Sequence, residues 1–137
     1  MTRGQKSLTW IVGLIVAYLI AAFPLKWPPF KRPALTIPIS LFTSGSDCDA
    51  KPRLPEIWPK NGDKVYYSAD GNGPYIVDFD GNYPYTTGSG PINVPSGRTV
   101  GPFTAAVPSS TRTYYYTLSN GSNCKQSSQY IGVIVKP

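Results

Sequence analysis

Asp78, Asp80 and Asn82 stand at alternate positions in the run Asp78-Phe-Asp-Gly-Asn82, and Asp70-Gly-Asn72 comes shortly before it. Oxygen ligands spaced in this way are the raw material of a calcium site. The run then departs from a calcium loop. Tyr83 stands where the sharp turn needs Gly, and Ser89 where a closing Glu belongs. An Asp-Gly turn after a strand explains the same residues without a metal. No metal and no cofactor is expected.

Absent residue types narrow the chemistry further. The chain has no His, and its only Met is Met1. Nucleophile–His–acid triads therefore cannot be built. Neither can His-ligated zinc or a blue-copper site with two His and a Cys. General acid–base work would fall to seven Asp and Glu, with no glycosidase-like pair expected among them. The expectation is a protein without catalysis or a small-molecule substrate.

Two cysteines remain, Cys48 and Cys124, both among polar loop residues. Two thiols without His do not make an ordinary zinc site. A disulfide is the economical reading, and two unrelated free thiols are the alternative. A bridge would close a loop of about 76 residues, worth on the order of 3–4 kcal/mol, and would imply an oxidising compartment such as the periplasm, the cell surface or the medium. The ten Tyr are the other chemical resource. On a strand, Tyr114 and Tyr116 share one face and Tyr115 takes the other. Exposed, they could stack on sugars or on another protein; the plainer reading is that about half of the tyrosines are core. Tyr114, Tyr115 and Tyr116 are candidate partner contacts. Asn120-Gly-Ser122 fits a glycosylation sequon, but Asn-Gly is also a common turn, which is the preferred reading.

The elements that must position these residues begin with an apolar run. Ser7 to Leu25 is nineteen residues without a charge. As a helix it spans roughly 30 Å, the thickness of a hydrocarbon core. Trp10 and Trp27 lie at its two ends, where aromatic belts form. Gly13, Ala17, Ala21 and Ala22 are small enough for close helix contact. A cleaved signal peptide is the rival reading, but a small–x–small site is poor here: Ala22 pairs with Ile20, and Ala21 with Leu19. A retained anchor is expected.

The net charge of +6 belongs mostly to the flanks of this segment. Residues 1–33 carry Arg3, Lys6, Lys26, Lys31 and Arg32 and no acid, which is +5; residues 34–137 carry eight basic against seven acidic residues, which is +1. Such a distribution suits lipid headgroups, and no nucleic-acid partner is expected. Charge alone mildly disfavours an N-inside topology. The short head and the disulfide favour it, placing residues 1–6 in the cytoplasm and the domain outside. Residues 24–39 hold five prolines, so 26–39 reads as a stiff, extended neck. Its Trp27 and Phe30 are further candidate partner contacts.

From about residue 40 to 137 the pattern is short strands broken by turns. Strands are expected at Lys64–Ser68, Tyr75–Asp80, Pro91–Pro95, Arg98–Val107, Arg112–Leu118 and Tyr130–Val135, with Phe103, Ala105 and Val107 on one face. The last is apolar on both faces and should be central or covered. Turns fall at Asp70–Pro74 and at Gly81-Asn82. Many short strands in under a hundred residues read as a Greek-key β-sandwich.

The succession GDKVYY (62–67), GPYIVDF (73–79), VPSGRTVGPFTA (94–105), YYYTLSNGSNC (114–124) and a terminal YIGVIVKP resembles the cupredoxins, in particular copper-free bacterial cupredoxin-like domains. An immunoglobulin-like sandwich is the fold-level alternative. Where copper members of the family carry a His, this chain has Tyr75; where they carry a Cys, it has Thr117 and Leu118; the following loop supplies neither His nor Met. The resemblance therefore implies a sandwich without copper. A tethered domain of this kind leads to one functional expectation: a non-catalytic accessory subunit of a membrane-embedded complex, respiratory or photosynthetic. Its partners would be other subunits and the lipid bilayer. The alternative is a tethered or secreted module that binds a glycan or a peptide through its tyrosine faces.

Overall fold

The computed structural model describes residues 32–121, 124–126 and 131–137. Contacts divide the chain into Met1–Arg32 and Pro33–Pro137, and the fold described is that of the second unit. The expected anchor, with Trp10, Gly13, Ala17, Ala21, Ala22 and Trp27, and the neck residue Phe30 lie outside the described residues. Among the described residues no helix is long and apolar enough to cross a membrane.

The described chain is all-β with mixed sheets. In order come β1 (Thr36–Ser44), β2 (Asp47–Lys51), β3 (Glu56–Ile57), β4 (Lys64–Ala69), β5 (Tyr75–Asp78), β6 (Ile92–Val94), β7 (Thr99–Phe103), β8 (Arg112–Tyr115), β9 (Thr117–Ser119), β10 (Lys125–Gln126) and β11 (Gly132–Val135). Period-2 burial explains most of them. In β4, Val65, Tyr67 and Ala69 are buried, and Lys64, Tyr66 and Ser68 are not. In β5, Tyr75 and Val77 are buried and Ile76 is exposed.

One sheet runs β10-β2-β1-β4-β7. Its pairings are mixed: β1 is antiparallel to β2 and parallel to β4, and β4 is antiparallel to β7. Opposite it lie two three-stranded sheets, β3-β11-β8 and β6-β5-β9. These share one stretch of chain. β8 and β9 are separated only by Tyr116, whose N–H donates to the Ile131 carbonyl at 3.0 Å and extends the β8–β11 ladder by one residue. Inward-facing side chains of both layers, such as Ile39, Leu41 and Val65 from one and Val77, Leu118 and Val133 from the other, form one buried core. The result is β-sandwich-like.

β1 opens at Thr36, inside the stretch expected to be neck. Thr36, Ile37 and Ile39 are β-branched and suit a strand. Pro38 is tolerated for a definable reason. The carbonyls of Leu35 and Leu41 face β4, so Pro38 faces the opposite edge. There β2 pairs only from Ser40 onward, so the missing N–H interrupts no ladder. At the other end of the fold, β11 lies between β3 and β8, which accounts for its apolar character on both faces. A side chain at Gly132 would collide with the Tyr114 carbonyl oxygen, so the close approach of β11 to β8 requires glycine.

The expected strand to Val107 is a correction. β7 ends at Phe103, and residues 104–106 instead bond to 84–86, through the Thr86 N–H to Thr104 O (2.9 Å) and the Ala106 N–H to Pro84 O (2.8 Å). Ala105 is buried by that bridge, whereas Val107 is 55% exposed. Pro108 follows directly and cannot donate to a ladder.

Asp63 ties the first layer to the short strand of the second. Fully buried, its carboxylate accepts from the Leu35 N–H at 2.9 Å and from the Trp58 N–H at 2.9 Å. Asp63→Ala strands both donors and removes a charge-assisted pair of bonds, so a loss of about 2–4 kcal/mol is expected in urea unfolding, with Asp63→Asn falling between the two.

Candidate functional site

The five-residue turn between β5 and the 84–86 segment forms one wall of a surface cleft. Asp78 closes β5 and accepts the Asp80 N–H on Oδ1 at 2.9 Å. Asp80 (φ +52°) and Gly81 (φ +83°) then take left-handed conformations, a geometry that Asp tolerates and Gly favours. The chain turns away from the sheet while Phe79 stays buried in the core. β5 consequently pairs with β9 only, over Asp78↔Thr117 to Ile76↔Ser119. Alongside β8 a cleft of about 600 Å³ is left, lined by Asp78, Asp80 and Asn82 on one wall and by Arg112, Thr113 and Tyr115 on the other. Among the described residues, Asp78, Asp80 and Arg112 form no ion pair.

The residues picked out in the sequence are thus partly gathered and partly separated. Asp78, Asp80 and Asn82 share the cleft wall, but Asp78 serves the backbone of its own turn. Among the described residues, no three His, Cys, Asp or Glu side chains converge on a point that would hold a metal ion. Asp70 and Asn72 form a separate turn, in which Asp70 Oδ1 accepts the Asn72 N–H at 2.9 Å.

The three consecutive tyrosines take three different environments. Tyr115 is 51% exposed, on the cleft rim. Tyr114 is half-buried. Tyr116, expected as a partner contact, is 2% exposed and belongs to the core, which corrects that expectation. Strand alternation turns its ring inward, between Phe79 (centroids 5.1 Å) and Tyr67 (6.1 Å), both edge-on. The same cluster contains Tyr85 against Phe79 at 5.8 Å and Phe103 against Tyr67 at 5.8 Å. Tyr67 and Tyr85 share a buried hydroxyl–hydroxyl hydrogen bond of 2.6 Å. Desolvation pushes the phenols of Tyr67, Tyr85 and Tyr116 well above the ordinary tyrosine range, so they stay protonated at neutral pH.

Cys48 and Cys124 form a disulfide with Cα atoms 5.4 Å apart. Cys48 is fully buried in β2, and Cys124 immediately precedes β10, which pairs with β2. The bond fastens the chain after β9 to the edge of the other layer. Near it, Gly121 adopts φ +71°, as an Asn-Gly turn requires.

Tyr75 is buried, and its phenol donates to Asp70 Oδ1 at 2.7 Å. Its single proton being committed there, the Thr43 hydroxyl 2.6 Å away is the donor to it. Desolvation raises the Tyr75 phenol to about 12; the Thr43 bond opposes this, and the Asp70 carboxylate adds to it. For Asp70 itself, desolvation pushes upward, but hydrogen bonds from Tyr75, from the Asn72 and Thr43 N–H groups and from the Asn72 amide outweigh it. Its carboxyl is held below the usual range. Sequence reasoning placed Asp70 only in a turn; the Asx-turn spacing was visible, but its partners Thr43 and Tyr75 were not.

No protein-family profile, curated protein or solved structure matches this chain.

Two measurements test this geometry. Tyr116 Oη is buried without a hydrogen-bond partner among the described residues. Deleting it leaves nothing unsatisfied, so Tyr116→Phe should keep or raise the melting temperature, whereas Tyr67→Phe, which strands the Tyr85 hydroxyl, should cost about 1–2 kcal/mol. Asp70 has a lowered folded-state pKa, so its contribution is complete above the ordinary Asp value of about 4 and disappears as pH falls through the folded value. Between about pH 5 and pH 2, unfolding free energy should therefore fall less steeply for Asp70→Asn than for the wild type, as followed by tyrosine fluorescence in urea.

Proposed function

We propose that this chain is a non-catalytic accessory subunit of a larger membrane-embedded complex, of a respiratory or photosynthetic kind. One N-terminal helix tethers it, and its β-domain packs on other subunits outside the cytoplasm. The observation that carries this reading is a combination in one chain: the Cys48–Cys124 bond, which needs an oxidising compartment, and an uncharged run of nineteen residues long enough to span a bilayer. The basic residues flanking that run and the near-neutral remainder support the bilayer as a partner and give nucleic acid no footprint.

The finer reading of the domain is a cupredoxin-like Greek key. Strand order supports it, with β1 parallel to β4 in one layer and the closing strand β11 parallel to β3 in the other. The residues at the expected ligand places do not fit copper. The Tyr75 phenol is committed to Asp70 and Thr43, Thr117 offers only a hydroxyl, and Leu118 is a buried hydrocarbon. A non-catalytic role accords with five of the seven acids being engaged: Asp49, Asp63, Asp70 and Asp78 accept backbone N–H groups, and Glu56 meets Lys136 at 3.1 Å. Of the three consecutive tyrosines only Tyr115 is exposed, which leaves little aromatic platform for a sugar.

Mild-detergent extraction of native membranes, followed by native-gel fractionation and detection of this chain, tests the proposal. Co-migration with a large pigmented or haem-containing assembly is the expected result. Migration of the chain alone, near its own 14.9 kDa plus a micelle, would overturn it.

A further inference from the structure

The end of the domain at which the chain enters is built around Asp63. Its carboxylate takes the Leu35 and Trp58 N–H groups, each at 2.9 Å, and so holds the start of β1 against the end of β3. One turn of 3₁₀ helix, Pro59–Asn61, closes between Trp58 and Asp63, and the Lys64 N–H donates to the Leu35 carbonyl at 2.9 Å. Lys60 from that turn and Lys64 from the start of β4 therefore share one face with Leu35, and all three are exposed. Lys136 joins them, with its ammonium 5.2 Å from the centre of the Trp58 ring. The acids of this face are already engaged: Glu56 pairs with Lys136 at 3.1 Å, and Asp63 is fully buried under its two N–H donors. Lys60 and Lys64 form no ion pair among the described residues. The face is thus positive and carries one large apolar side chain, Leu35, at 40% exposure. That charge is local, because residues 34–137 hold eight basic against seven acidic residues.

The chain leading into this face indicates what covers it. Lys26, Lys31 and Arg32 lie between the uncharged run and Pro33, with no acid among them. The seven residues 26–32 can reach at most ~25 Å. A face tethered so near a bilayer meets its surface at high effective concentration, and anionic headgroups attract each Lys or Arg that comes close. We propose that this face seats on the bilayer surface, with the Lys60 and Lys64 ammonium groups on the phosphates of anionic lipids and Leu35 at the headgroup boundary. The inference deepens the anchored-subunit reading and rests on its anchor. It adds a second membrane contact, made by the β-domain itself.

The test is acetylation footprinting of the full-length chain in lipid nanodiscs, with a neutral amine reagent and mass spectrometry. The discs are made of phosphatidylcholine alone, or of phosphatidylcholine and phosphatidylglycerol in equal parts. Lys60 and Lys64 should react about fivefold more slowly in the anionic discs, and high salt should remove the difference. Lys51, exposed and paired with Ser40 further along β1, should react alike in both. Lys60→Glu should abolish most of the slowing at Lys64, Leu35→Ser should reduce it, and Lys51→Glu should leave it unchanged; urea unfolding checks that each variant folds. Equal rates in the two discs, slowing that survives high salt, or slowing shared by Lys51 would overturn the seat. So would protection of Lys60 and Lys64 in a mild-detergent extract of native membranes but not in anionic discs, which would give the face to another subunit. Co-elution of the chain with disc lipid is read separately. A chain that does not incorporate overturns the anchor and the seat together; one that incorporates without slowing keeps the anchor and loses only the seat.

Discussion

Hydrogen bonding along residues 112–119 changes partners at Tyr116, from β11 along the first half to β5 along the second. One run of chain thereby joins two three-stranded sheets. The change is held at its midpoint by burial. Tyr116 turns into the core at the crossing, where Phe79 and Tyr67 meet its ring edge-on, and such aromatic contacts add to the area they bury. Phe79 arrives from the very turn that ends β5. The same residues that allow β5 to leave the sheet thus also anchor the strand it leaves, and the cleft beside β8 is the geometric remainder of that arrangement.

Carboxylates play a second organising part. In a domain of about a hundred residues with many proline- and turn-rich connections, the backbone N–H groups of loops need acceptors that no ladder supplies. Asp63, Asp70 and Asp78 provide them, each beside a turn or strand end, while Asp49 accepts the Ala50 N–H within β2. Asp70 joins three segments by collecting the Thr43 and Asn72 N–H groups and the Tyr75 hydroxyl. Acids employed in this way are poor proton shuttles, because their lone pairs are engaged and the bonds favour the charged form. Asp80 differs: its backbone is bonded to Asp78 but its carboxylate has no described partner, which is why the cleft wall keeps a charge to offer.

Much of the strand content was legible locally. Alternation in Lys64–Ala69 and Tyr75–Asp78 marks inward and outward faces without knowledge of any partner, and the two-sided apolar run at Val133–Val135 marks a strand covered by neighbours. β1 was harder to see. Thr36-Ile-Pro-Ile resembles a proline-rich linker until the free edge at Pro38 is known, and that edge exists only because β2 is short. The end of β7 was misjudged for a related reason. Phe103, Ala105 and Val107 alternate well, yet Ala105 pairs with Tyr85 across the sandwich edge and Val107 has nothing to cover it.

The amino-acid sequence by itself determined the all-β class, the turn positions, the exclusion of His-dependent chemistry and the pairing of the two cysteines as the economical choice. Each follows from local conformational preference or from an absent functional group, and neither needs distant contacts. Tertiary structure alone decided which of three identical neighbours, Tyr114, Tyr115 and Tyr116, is exposed, because exposure depends on how far the facing sheet extends over a strand. It also decided that β5 stops pairing at Asp78, which leaves a cleft beside β8. That outcome rests on where β5 stops pairing with a strand some forty residues away, a non-local balance between one Asx turn and one buried phenylalanine that no window of sequence contains.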